Sequence, residues 1–185
     1  GTDKTNMITS LSAYPGAENT SDVHAFTGIY LLSAGVFENY DFNSYGDVIE
    51  DIVPRMISDG CKIYTYGTVD FWHRITDARG FLDCQKSMLE GKSGFSISAR
   101  REEGGIYTDT TGNFSGVSII PPVYIGKNVV IETGSVIDRG SVIDDGAYIE
   151  KRSRVSGAYV GRGAYISSRS ELTSCVICPG ARLLR

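Results

Sequence analysis

The chain has 185 residues, 41% of them apolar and 22% charged, an ordinary globular composition with room for one domain or two small ones. No apolar run approaches the roughly 18–20 residues that span a bilayer, and the opening residues carry no signal-peptide pattern. Four cysteines in a chain this long do not describe a disulfide framework, so a reducing cytoplasm is the expected setting. The net charge of −4 is uneven. Residues 1–118 carry sixteen acidic against nine basic side chains and residues 119–185 carry six against nine, too dilute a surplus for a nucleic-acid-binding face.

Residues 1–22 are polar and read as loop or a weak edge strand, with turn formers at Tyr14-Pro15-Gly16. His24–Leu32, rich in aromatic and branched residues, is a strand candidate. Residues 47–58 place Val48, Ile49, Ile52, Val53, Met56 and Ile57 at amphipathic-helix spacing. Pro54 is expected to kink or split that helix, and Gly60 to end it. Lys62–Val69 alternates like a strand. Asp77–Leu89 forms a second helix with Phe81, Leu82, Met88 and Leu89 on one side and Gly91 as its stop. Residues 92–118 are rich in Gly and Ser and read as a linker.

From Ile119 the chain beats at six: Ile119, Ile125, Ile131, Ile137, Ile143, Ile149 and Val155. It slips by one to Val160, resumes at Ile166 and Leu172, slips again to Ile177 and reaches Leu183. Two residues before each of these, from Ser135 onward, stands a small side chain: Ser, Ala or Cys. Side chains on a strand alternate, so both positions of a pair point the same way. The pattern therefore predicts a three-sided coil, six residues to a side, with the aliphatic residue mid-face and the small one near a corner. Period six cannot hold one face of a helix with 3.6 residues per turn.

Three segments ahead of the coil carry a resemblance. Phe26-Thr27-Gly28-Ile29-Tyr30-Leu31-Leu32-Ser33, the Asp47–Ile57 helix with its internal Pro54, and Phe71-Trp72-His73-Arg74-Ile75-Thr76 before a helix are similar, in that order, to motifs of the sugar-nucleotide pyrophosphorylases. Members such as mannose-1-phosphate guanylyltransferases and glucose-1-phosphate adenylyltransferases also carry a hexapeptide coil. The resemblance covers roughly residues 8–185. It implies an α/β remnant of a nucleotidyltransferase domain (residues 1–91), a linker (92–118) and a left-handed parallel β-helix of hexapeptide repeats (119–185). The implied chemistry joins a sugar 1-phosphate to a nucleoside triphosphate with release of pyrophosphate, helped in the complete enzyme by Mg²⁺. The implied partners are a sugar phosphate or nucleotide sugar and further copies of the chain assembled through the coil; neither nucleic acid nor membrane is expected.

The departures from the family are specific. Its Gly-rich loop and first metal carboxylate have no counterpart in these residues. Arg74 stands where the second metal carboxylate belongs, and a guanidinium cannot ligate Mg²⁺. No catalytic residue, metal ligand or cofactor is therefore assigned to this chain, and it is expected to be inactive alone; a non-catalytic regulatory or assembly subunit is the alternative. Four residues map to the sugar side. Thr27 and Gly28 line the family's sugar pocket or else form a plain core strand. Trp72 stacks on a ligand or fills a core, and Arg74 pairs with a phosphate or with a neighbouring carboxylate. Cys175-Val176-Ile177-Cys178 has no second cysteine pair nearby, and Cys175 falls on the small inward position, so its size accounts for it. A hexapeptide acyltransferase is disfavoured because residues 119–185 contain no histidine to act as general base.

Overall fold

A computed structural model describes residues 4–8, 26–40, 46–102, 104–110 and 114–184. The chain forms two compact units, Gly1–Asp70 and Phe71–Arg185.

In the first unit, α1 (Ala34–Asn39) is a short helix with no buried residue. The predicted helix over 47–58 is present and split. A π-helical turn, Val48–Ile52, runs into α2 (Val53–Ser58) with Pro54 in the first turn of α2. Within one continuous α-helix the proline ring would press on the Glu50 carbonyl and leave a hydrogen bond unmade, so the break falls there. Asp47 caps the turn, its Oδ1 accepting from the Ile49 and Glu50 amides at 2.7 and 3.1 Å. Gly60, at φ +74°, ends α2 with the paired C-terminal bonds of a Schellman motif, Gly60 N to Ile57 O and Cys61 N to Met56 O. Ile52, Val53 and Met56 are buried.

The sheet expected in this unit is represented, among the described residues, by one antiparallel bridge, Met7 with Tyr64. Residues 26–33 form no ladder, and of the strand predicted for His24–Leu32 the first two residues lie outside the described ones. Ile29 is 79% exposed and Leu31 fully so. The predicted strand over 62–69 likewise contributes only its bridge residue.

The second unit opens with α3 (Ala78–Leu89), capped by Asp77 Oδ1 accepting from Gly80 N at 2.7 Å. It ends at Gly91 in another Schellman motif, Gly91 N to Met88 O and Lys92 N to Ser87 O. Within the segment read as linker, β1 (Arg100–Arg101) and β2 (Ile106–Thr108) pair antiparallel, and β2 adds in parallel to the coil.

The coil strands are β3 (Ser118–Ile119), β4 (Val123–Ile125), β5 (Val130–Ile131), β6 (Val136–Asp138), β7 (Val142–Ile143), β8 (Tyr148–Ile149), β9 (Arg154–Ser156), β10 (Tyr159–Val160), β11 (Tyr165–Ile166), β12 (Glu171–Thr173), β13 (Val176–Ile177) and β14 (Arg182–Leu183). They stack as three sheets with orders β1-β2-β4-β7-β10-β13, β5-β8-β11-β14 and β3-β6-β9-β12. This is a parallel β-helix. The register places the six-beat residues directly over one another: Ile125, Ile143, Val160 and Ile177 in the first sheet, Ile131, Ile149, Ile166 and Leu183 in the second, Ile119, Ile137, Val155 and Leu172 in the third. Ile125, Ile137, Ile143, Ile149, Val155, Val160 and Ile166 are wholly buried. Each such side chain gains about 1.5–3 kcal/mol on leaving water, so the column is the main source of cohesion. The buried small serines are satisfied by the neighbouring rung: Ser135, Ser141 and Ser153 donate to Glu150 O, Val155 O and Ser167 O at 3.1, 3.2 and 3.1 Å.

Every corner but the Pro121–Pro122 one takes one residue in the left-handed region, stacked in columns. One column is Asn128, Gly146, Gly163 and Gly180; the next is Gly116, Gly134, Arg152 and Arg169; the third is Gly140, Gly157 and Ser174. Both slips of the six-beat fall at the third corner, where a rung turns with one residue fewer. Arg152 and Arg169, each at φ +58°, hold a conformation that costs an L-residue roughly 1–2 kcal/mol.

Candidate functional site

The segment Phe71–Thr76 is pinned over the start of α3. The Gly80 carbonyl lies 2.7 Å from His73 Nε2, which fixes the proton on that nitrogen. A Cβ on Gly80 would stand 3.1 Å from the Arg74 carbonyl, so the glycine admits the close approach of the segment. Phe71 and His73 are half-buried with their rings stacked 6.3 Å apart, Trp72 is 37% exposed and Arg74 is exposed. Two of the four expected sugar-side residues, Trp72 and Arg74, thus alternate with Phe71 and His73 along one extended segment. Thr27 and Gly28 lie in the first unit. Gly28 has φ +84°, and a Cβ there would meet nothing within 4 Å, so conformation rather than crowding selects the glycine.

α3 is seated on the first sheet of the coil. Gln85 Nε2 donates to Gly140 O at 2.7 Å, with Ala158 O at 3.4 Å, and Phe81 meets Tyr159 edge-on with centroids 5.2 Å apart. The two carbonyls fix the amide orientation, leaving Gln85 Oε1 buried without a partner among the described residues. Beside this contact lies a cavity of about 280 Å³ walled by Ile75, Phe81, Cys84, Gln85, Met88, Leu89 and Ile97 and by Tyr124, Val142 and Tyr159 of the coil. Burial, then the hydrogen bond to Asp144 at 2.8 Å, pushes the Tyr159 phenol up to about 12. Its hydroxyl donates to Asp144, and the lining of the cavity is mainly apolar.

The outer face of the second sheet carries a ladder that sequence reading missed. Glu132 accepts from Tyr148 Oη at 2.5 Å and from Lys151 N at 2.9 Å. One rung on, Glu150 accepts from Tyr165 Oη and from Ser168 N. The two tyrosine rings stack 5.7 Å apart, and Arg182 caps Tyr165 with its guanidinium carbon 4.6 Å from the ring centre. The Tyr165 hydroxyl and then the Ser168 amide hold Glu150 below the usual carboxylate range. A signal existed: Glu follows the aliphatic residue at Ile131-Glu132 and Ile149-Glu150, and Tyr precedes it one rung later at Tyr148-Ile149 and Tyr165-Ile166.

Among the described residues no group of three His, Cys, Asp or Glu side chains could hold a metal ion. All four cysteines are unbridged; Cys175 packs against the coil core at the small position, where burial pushes its thiol up. Among the described residues no helix is long and apolar enough to cross a membrane.

The six-residue beat and the three stacked sheets make the second unit a parallel β-helix. No family profile matches the chain. It is similar to the UTP–glucose-1-phosphate uridylyltransferase of Synechocystis, 24% identical over 136 residues, which is 72% of this chain and 35% of that protein. It is also similar to the glucose-1-phosphate adenylyltransferases of Fusobacterium nucleatum (26% over 125 residues; 62% of this chain, 32% of the relative) and Clostridioides difficile (25% over 112; 56% and 26%). The resemblance to the sugar-nucleotide pyrophosphorylases is thus supported by distant relatives from that family. The matched region spans about a third of their length or less.

Proposed function

We propose that the chain is the C-terminal portion of a cytoplasmic nucleotidyltransferase that makes a nucleotide sugar from a sugar 1-phosphate and a nucleoside triphosphate, catalytically silent by itself. The similarity to three sugar-1-phosphate nucleotidyltransferases, together with a β-helix after the motif segments, carries this reading. Thr27, Gly28, Trp72 and Arg74 are the sugar-side residues in it. The β-helix serves assembly between copies in this reading. Mg²⁺ belongs to the complete enzyme, held by carboxylates other than those described.

The test is pyrophosphate release from UTP or ATP with glucose 1-phosphate and Mg²⁺. The chain alone is expected to match the protein-free rate, and a protein containing it together with a nucleotide-binding half to exceed that rate. Failure of such a protein to form any nucleotide sugar across the common sugar 1-phosphates would sink the family function. Arg74 at the carboxylate position favours a second reading, a non-catalytic regulatory or assembly subunit. Under it the protein containing this chain stays silent, while calorimetric titration with UDP-glucose or ADP-glucose still shows binding that weakens in Arg74→Ala.

A further inference from the structure

The left-handed corner between the second and third sheets is filled by glycine at Gly116 and Gly134 and by arginine at Arg152 and Arg169. Glycine meets the backbone demand without strain, so arginine on two successive rungs needs another reason. Arg152 Cγ would lie 3.2 Å from a Cβ built on Gly134, so the stem of Arg152 lies over the glycine of the preceding rung. Both arginines are exposed, and so is Lys151 beside them. Among the described residues none of the three enters an ion pair, whereas Arg154 and Arg162 pair with Asp138 and Asp145. The nearest carboxylates in sequence differ in availability. Glu150 accepts from Tyr165 and Ser168 N and also feels the charge of Lys151, and Glu171 stands on β12 over Arg154, so the two arginines are the less compensated cations.

We propose that the Lys151–Arg152–Arg169 corner is a docking ridge for an acidic peptide segment of a partner protein, running along the coil axis. The corner is a convex edge between two flat sheets, so it offers no enclosure for a small phosphate compound, which would need a concave site. Three cations on a chain of net charge −4 are too few to hold nucleic acid. Carboxylates are oxyanions that guanidinium forks bind with two parallel hydrogen bonds, and an acidic peptide presents several of them on a flexible chain.

The intact chain is titrated at low ionic strength with a fluorescein-labelled glutamate decamer, and anisotropy is recorded. Binding is expected to weaken by about tenfold or more as salt rises from roughly 50 to 300 mM. The double variant Arg152→Gly/Arg169→Gly is expected to lose about tenfold at low salt. Its melting temperature should stay level or rise by a few degrees, since glycine removes the strain. Arg139→Ser, a cation lost from a different corner, should bind as the unaltered chain does. Four results would overturn the proposal: no peptide binding at low salt, equal loss in Arg139→Ser, tighter binding of inorganic pyrophosphate or a single-stranded DNA decamer than of the peptide, or a melting temperature several degrees lower in the double variant. The last would show the arginines to be structural.

Discussion

The coil and the first unit both carry strand-like sequences, yet among the described residues only the second unit makes sheets. Ile149 and Leu31 are both apolar residues in β-prone surroundings; one is wholly buried and the other wholly exposed. What separates them is where the hydrogen-bonding partner comes from. In the coil the partner strand arrives one rung later by covalent continuation: Val142–Ile143 pairs with Tyr159–Val160, and that strand with Val176–Ile177. A strand of an α/β sheet depends on a partner brought from elsewhere, and pattern alone does not supply one.

This contrast is broken or sharpened first by truncation. Ile149→Ala should destabilise the second unit by about 2–5 kcal/mol, because the rungs above and below cannot collapse into the cavity. Leu31→Ala, fully exposed, should cost no more than about 0.5 kcal/mol in the same urea titration followed by circular dichroism. A large effect at Leu31 would show that its segment is covered in solution and that the contrast between the units is false.

Next comes a test of rung spacing. Gly161 is not in the left-handed region, yet a Cβ there would lie 2.6 Å from Pro179 N and 2.8 Å from Ile177 O, both backbone atoms of the next rung. Gly161→Ala should therefore cost about 1–3 kcal/mol by overpacking. Gly146→Ala, where the added carbon meets nothing within 4 Å, should show only the left-handed penalty, and comparing their urea midpoints separates crowding from conformation.

How much was legible in the sequence follows the same division. The inward columns could be read residue by residue, and so could both slips, because period six and period two together fix which side chains share an interior. Gly60, Gly91 and Pro54 marked two helix ends and a break because a left-handed C-terminal residue and the missing proline N–H act within one turn. The pairing of β1 with β2 was hidden in a two-residue strand, too short to show alternation. The seat of α3 was not legible either, since Gln85 reads as a surface residue until Gly140 O and Ala158 O are brought to it across 55 and 73 positions. The Glu–Tyr ladder lay in view but needed the stacking register, with its shortened third corner, before residues 15 or 16 apart became neighbours. Of the sugar-side residues, Trp72 and Arg74 share a segment by sequence proximity alone; their chemistry came from the resemblance.

A smaller effect is expected at the junction of α3 and the coil. Tyr159→Phe removes the hydroxyl bonded to Asp144 while keeping the ring against Phe81, and should cost about 0.5–1.5 kcal/mol at neutral pH. The phenol's folded-state value is raised to about 12 from an unfolded value of about 10, so its contribution is full below about pH 10 and is lost as pH rises through the folded value. Melting temperatures of the two proteins should therefore converge on the alkaline side. If the gap stayed constant there, the phenol would not be the titrating group.

The smallest effect belongs to the exposed ladder. Glu150 is held below its ordinary value by Tyr165 and by the Ser168 amide, so the folded state favours the carboxylate. A depressed carboxylate stabilises above the unfolded-state value of about 4.3, and that contribution is lost as pH falls through the lower folded value. Glu150→Gln removes the charge at every pH. Its melting temperature should lie slightly below that of the unaltered chain at neutral pH and converge with it in acid, the reverse of the Tyr159 behaviour. Salt should narrow the neutral gap only in part, because one of the two stabilising bonds goes to a backbone amide rather than to a mobile surface cation. A neutral gap that vanished completely in high salt would mean that Glu150 acts through diffuse charge, and the rung-to-rung clamp would lose its physical basis.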